Sequence, residues 1–217
     1  MRQVNSWSDI TVGQYQEMNM IQSESQVTKF IEMMSIALDC DPQEIRDLPI
    51  SEYKTLQEKM QFISKEPDLD IRKTFEINGK KYGLIPDMNL ITGGEFLDAE
   101  QFKLDPMANL HYTLALIYRP VISEDEDSYK IAAHKSEGFE FRAELFRDEL
   151  SIEIVLGAVL FFSLLVMESS IDLLASLEKE LMKQNQIMKT MTTPAPTKKK
   201  RQKRFKSNGD YTTNSTD

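Results

Sequence analysis

The side chains able to do acid–base, nucleophilic or metal chemistry are sparse and scattered in this sequence. There are two histidines, His111 and His134, and one cysteine, Cys40. Zinc takes four N or S ligands at close, patterned spacing, and no Cys/His cluster offers them. A single thiol excludes an intrachain disulfide, which fits a reducing cytoplasm. His111 falls on an apolar helical stripe and reads as a packing residue, whereas His134 falls in a polar stretch. Gly93 and Gly94 suggest a phosphate cradle at a helix start, where backbone N–H groups and the helix dipole face an anion. The Lys and hydroxyl residue that complete a P-loop do not follow, so Thr92-Gly93-Gly94-Glu95 reads as a capping box. The acidic run at 123–128, SEDEDS, lacks the turn glycine and distal glutamate of a calcium loop and reads as a solvated loop. No GxSxG or HExxH occurs. The expectation is a protein that is not an enzyme and carries no cofactor.

Two other groups of residues suit binding. Met18, Met20, Met33 and Met34 cluster near the start of the chain, which has 12 methionines. Met is flexible and polarizable, so such a cluster reads either as irregular core filling or as a groove for a partner helix or extended segment. Lys198, Lys199, Lys200, Arg201, Lys203, Arg204 and Lys206 form a basic run near the end. They are seven of the 26 basic residues, which leaves residues 1–190 with a formal net charge of −14 by subtraction. The run can neutralise phosphates in weak, nonspecific nucleic-acid binding, with Phe205 as one stacking contact. It can equally dock on an acidic partner or on the acidic body, or serve as a solubilising extension. The sequence leaves these open.

The elements that must position these residues are mainly helical. With 41% hydrophobic and 28% charged residues, the chain has the composition of a globular protein with a core. Thr11 and Gln14 form a capping box, Ser23–Gln26 offers the next start, and Asp41-Pro42 the next, with proline where its missing N–H is harmless. Val27, Phe30, Ile31, Met34 and Leu38 repeat at helical spacing, as do Tyr53, Leu56, Met60 and Ile63. Asp105-Pro106 starts a further helix, striped by Met107, Leu110, Leu114 and Ile117 and stopped before Pro120. Between these helices, Thr74–Ile77 and Tyr82–Ile85 flank Asn78-Gly79, the signature of a tight turn, and predict a two-stranded hairpin over 74–85. The most apolar stretch, Ile154–Met167, has 14 residues against about 20 for a bilayer span, and Glu153 and Glu168 bound it. It predicts a central buried helix over 151–185, in which Val155, Leu156, Val159, Leu160, Phe162 and Leu165 leave no face for water. The N-terminus MRQVNSWSD has no signal-peptide core. The expected organisation is a helical body over 1–190 with seven or eight helices and no membrane span. A disordered basic tail follows over 191–217, whose composition buries too little apolar surface to fold.

ITVGQY at 10–15 and ITGGEF at 91–96 match at an offset of 81. At that offset Met33 falls on Leu114 and Ile36 on Ile117. The match reads either as common capping language or as a duplicated helical pair, with units near 7–40 and 88–120 packed around the long helix.

WSDITVGQYQEM, LPISEYKTLQ, INGKKYG, LITGGEF, IYRPV and VLGAVLFFSLL, within residues 7–167, together resemble the helical tail assembly chaperones of tailed bacteriophages. The resemblance implies a host-cytoplasmic protein that holds a long helical tape-measure protein during tail building and is absent from the finished virion. It also implies extension by a programmed frameshift, for which Lys198–Lys200 could be encoded by an A-rich slippery run. It supplies no catalytic residues. The alternative is a virion structural or cargo protein that touches nucleic acid through its basic tail. An oligomer is compatible with either.

Overall fold

The computed structural model describes residues 2–65, 67, 69–87, 91–126, 128–134 and 138–192; the side chains of 168, 169, 172, 173 and 185–192 are left aside. Among the described residues the elements are α1 (Val12–Met20), α2 (Gln26–Leu38), α3 (Pro42–Arg46), α4 (Ile50–Lys59), β1 (Thr74–Ile77), β2 (Lys80–Leu84), α5 (Gly93–Phe102), α6 (Leu110–Ile117), β3 (Tyr118–Glu124), β4 (Tyr129–Ile131), α7 (Phe139–Glu149) and α8 (Ile152–Thr192). Short 3-10 helices cover Trp7–Asp9 and Met60–Ser64. The fold is mainly α with a small antiparallel sheet. Met1–Ile171 form one compact unit, and a second begins at Asp172, within α8.

Local chemistry sets the helix starts where the sequence places them. Thr11 accepts from the Gln14 N–H while the Gln14 side chain accepts from the Thr11 N–H. Thr92 and Glu95 repeat this arrangement, as do Asp41 and Glu44, with Pro42 in the first turn. Each box satisfies two of the N–H groups that a helix start leaves without partners. Asn78 and Gly79 adopt φ of 50° and 72°, the left-handed pair that the β1–β2 turn requires.

The sheet is larger than a hairpin. Its order is β1-β2-β3-β4, all antiparallel, with α5 and α6 inserted between the two middle strands. The run after α6 holds Pro120, which argues against a strand because it lacks a donor. The register shows why it is tolerated. Tyr118–Pro120 pair with β2, whereas Val121–Glu124 pair with β4 after an irregularity, so Pro120 sits where the strand changes partners. The acidic run at 123–128 thus splits between the end of β3 and the connection to β4. Helix α6 also starts later than Asp105-Pro106 suggests, because 105–109 are turns that lead into Leu110.

Helix α6 runs into β3 with no intervening loop, which buries its C-terminal carbonyls. Each has a donor. The Tyr118 N–H reaches Leu114 O, Arg142 donates to Ala115 O at 3.1 Å, Arg119 to Leu116 O at 3.0 Å, and the Ile85 N–H to Ile117 O at 2.8 Å. Two guanidinium groups at a helix C-terminus also favour its dipole. Arg119 bonds Glu95 at 2.7 Å, both side chains buried, so the capping residue of α5 is tied to the end of α6. At the corresponding place in α1–α2, the Gln14 side chain donates to Ile36 O at 2.8 Å. Both helical pairs therefore link an N-terminal capping side chain to the far end of the following helix.

The core joins the sheet to α6, α7 and the start of α8 and takes in Met18 of α1, Met34 of α2 and Ile45 of α3. Phe146 of α7 meets Tyr82 and Phe75 edge-on, with ring centroids at 4.9 and 5.5 Å, and Phe75 also contacts Tyr118. The N-terminal segment anchors the start of α8. Ile152 N–H donates to Ile10 O, and Val12 N–H to Leu150 O. Gly157 lets the backbone at Leu69 lie directly on α8, because a Cβ there would overlap the Leu69 carbonyl.

Burial of α8 departs from the all-round burial that the apolar stretch predicts. Ile152, Val155, Leu156, Ala158, Val159, Phe162 and Val166 are buried. Leu160 and Phe161 are exposed, and Leu165 is half-buried. The inward residues follow 3- and 4-residue steps, so the core takes one face of the helix, and the other apolar face stays in solvent.

Candidate functional site

The residues with chemical potential are built into the frame. His111 is buried, with Nδ1 at 3.2 Å from Gln16 Nε2, which also donates to Met107 O and Ala108 O. Burial pushes its pKa below the ordinary value, against the pull of Glu144. This is the packing role the sequence predicts. His134 is also buried, in contrast to its polar sequence context. It bonds Asp98 at 2.8 Å and meets the Phe139 ring edge-on. Gly93 and Gly94 lie inside the Thr92–Glu95 box, which engages the Thr92 and Glu95 N–H groups.

A concavity of about 420 Å³ is polar and lined by charges of both signs, among them Arg2, Asp39, Arg147 and Asp148, with Cys40 on its wall. Burial, then Glu44, raises the pKa of the Cys40 thiol, which opposes thiolate formation at neutral pH. Among the described residues no group of three His, Cys, Asp or Glu is placed to hold a metal ion. In the same residues no helix is long and apolar enough to cross a membrane.

The methionine cluster is divided by the fold. Met18 and Met34 are core residues, Met33 is half-buried against the core, and Met20 is exposed. Core filling thus accounts for two of the four, and the cluster is not one groove. Lys198, Lys199, Lys200, Arg201, Lys203, Arg204 and Lys206 lie outside the described residues, as does the tail from 193 on; residues 191 and 192, expected in the disordered tail, instead end α8, which runs past the expected 185.

An apolar binding surface is present elsewhere. Tyr15, Leu69, Met107, Leu110, Leu156 and Val159 line most of a groove of about 290 Å³, near the lower end of the range for small-ligand pockets. The elements already described position it. The capping box at Thr11 sets α1 and hence Tyr15, the turns before α6 present Met107, and Gly157 brings Leu69 down onto α8. Leu160 forms one wall and begins a ridge of exposed apolar side chains with Phe161, Leu164, Met167 and Ile171. These residues are invisible as a site if the apolar stretch is read as wholly buried. The signal that finds them lies further along: Ile171, Leu174 and Leu181 continue a single stripe in a polar context, and stepping back by seven residues from Ile171 and Leu174 reaches Leu164 and Met167, and by seven more from Met167 reaches Leu160. The chain matches no family model, no curated protein and no solved structure.

Proposed function

We propose that this protein is a non-enzymatic assembly chaperone of a tailed bacteriophage, acting in the host cytoplasm, that shields the apolar face of a helical partner such as a tape-measure protein. The observation that carries the reading is the apolar groove continued by the exposed ridge on α8. An amphipathic partner helix would place one apolar side chain in the groove. Its neighbours one and two turns away would lie along Leu160, Phe161 and Leu164, the usual mode of helix-in-groove recognition. Each apolar side chain so covered contributes about 25 cal/mol per Å² removed from water. The sequence resemblance to tail assembly chaperones supports the same reading.

Quantitative mass spectrometry of purified virions tests it. A transient chaperone is present in infected-cell lysate and absent, or far below stoichiometric, in particles. Stoichiometric presence in particles would contradict the proposal and favour a virion structural protein.

A further inference from the structure

We infer that the pocket between the sheet and the first half of α7 binds a small carboxylate carried on an apolar body, such as an aryl-alkanoic acid. The register of the sheet builds its floor. Ile77 pairs with Lys80 and Tyr82 with Pro120, and Lys80 and Tyr82 lie two residues apart on β2. Opposed residues and i, i+2 neighbours share a face, so these four side chains stand together on the face that α7 covers. Further along α7, Phe146 fills that interface against Tyr82. Toward the start of the helix the filling stops. Gly138 has no side chain, a Cβ there would meet nothing within 4 Å, and Phe141 is 75% exposed. What remains is a cavity of about 250 Å³, walled by Ile77, Pro120, Phe141 and Leu145.

The polar groups that line the cavity are donors. Tyr82 is 3% exposed, yet its hydroxyl makes no hydrogen bond to a described residue. Arg142 is 4% exposed. Its Nε and Nη2 donate to Ala115 O, which leaves Nη1. Among the described residues no carboxylate pairs with Arg142, whereas Arg119, the other guanidinium at the end of α6, has Glu95. Lys80 adds a third donor, with its ammonium 5.8 Å from the centre of the Tyr82 ring. Asn78, also in the lining, is held by Glu149, and no Asp or Glu among the described residues lines the cavity. A buried cation without a counter-charge is costly, and hydrogen bonds to an anion are the strong ones. A carboxylate would neutralise Arg142 and accept from Tyr82 and Lys80. The apolar walls take a body of about one aromatic ring, since larger ligands occupy pockets of about 300–1,000 Å³.

The inference is independent of the chaperone reading, because no residue of this pocket lines the groove. The test is a titration of the isotope-labelled full chain with phenylpropionate, followed through amide chemical shifts. Saturable shifts at Lys80, Gly138 and Phe141 are expected, with a Kd on the order of 1 mM. Phenylpropionamide is neutral at the same shape, and acetate is charged but lacks the ring; each should bind about tenfold more weakly or worse. Tyr82→Phe keeps the ring packing and removes only the hydroxyl. It should weaken binding about fivefold or more with an unchanged urea midpoint, which a structural hydroxyl would lower. Lys80→Gln, at an exposed position, should weaken binding about threefold. No shift up to about 10 mM, equal binding of the acid and its amide, or wild-type affinity in both variants would overturn the inference.

Discussion

Replacing Arg119 by Met is expected to destabilise the protein by about 3–5 kcal/mol, because it leaves the Glu95 carboxylate buried without its partner. Arg119 and Glu95 are both buried and lie 2.7 Å apart, and Arg119 also satisfies the carbonyl of Leu116. Urea denaturation measures the loss, and a change under about 1 kcal/mol would contradict the burial of the pair. The double variant Glu95→Leu/Arg119→Met removes both charges and should recover part of the loss. It keeps the cost of an unpaired Leu116 carbonyl, about 1–3 kcal/mol. The same pair sets a pH dependence. Burial pushes the Glu95 carboxyl up, but the Thr92 N–H, Arg119 and the Thr92 hydroxyl outweigh it, and the folded-state pKa lies below the ordinary value. A lowered carboxylate pKa contributes stability above the unfolded-state pKa, and that contribution is lost as pH falls through the folded-state pKa. Wild-type stability should therefore fall below about pH 4, and Arg119→Met should flatten that dependence.

Phe162→Ala and Phe161→Ala, one residue apart, should separate by several kcal/mol. Phe162 is 2% exposed and fills the core, so truncation costs about 3–5 kcal/mol through lost transfer energy and a cavity. Phe161 is 43% exposed on the ridge, and its truncation should cost under about 1 kcal/mol. Thermal or urea unfolding of both variants decides this. Equal losses would mean that the ridge is buried, and the surface proposed here would not exist.

The contrast shows what the sequence makes legible. Helix starts are local chemistry, and Thr11, Asp41 and Thr92 were readable because a capping side chain bonds its own neighbours. The Asn78-Gly79 turn was readable for the same reason. Strand β3 was not, because Tyr118–Pro120 pair with β2 on the far side of α5 and α6 in sequence, and Pro120 hides a strand that changes partners there. Nor was burial around α8. Hydrophobicity says that a side chain gains by leaving water, but not whether this chain covers it, and Leu160 and Phe161 read as core for that reason. The Arg142 and Arg119 caps on α6 belong to the same class, since the carbonyls that require them are exposed as a need only when a helix runs straight into a strand. The site was half legible: Met18 and Met34 were absorbed by the core, and the groove draws on α1, the turns before α6, and α8.

The proposed function requires an apolar helical partner bound along the groove and the ridge on α8. Fluorescence anisotropy with labelled amphipathic helical peptides, apolar at i, i+3, i+4 and i+7, is the direct test. Saturable binding is expected for the wild type, at least tenfold weaker for Met107→Glu and Phe161→Ala, each worth about 1.4 kcal/mol or more of contact. No peptide bound at about 100 µM, or binding that neither substitution changes, would contradict it.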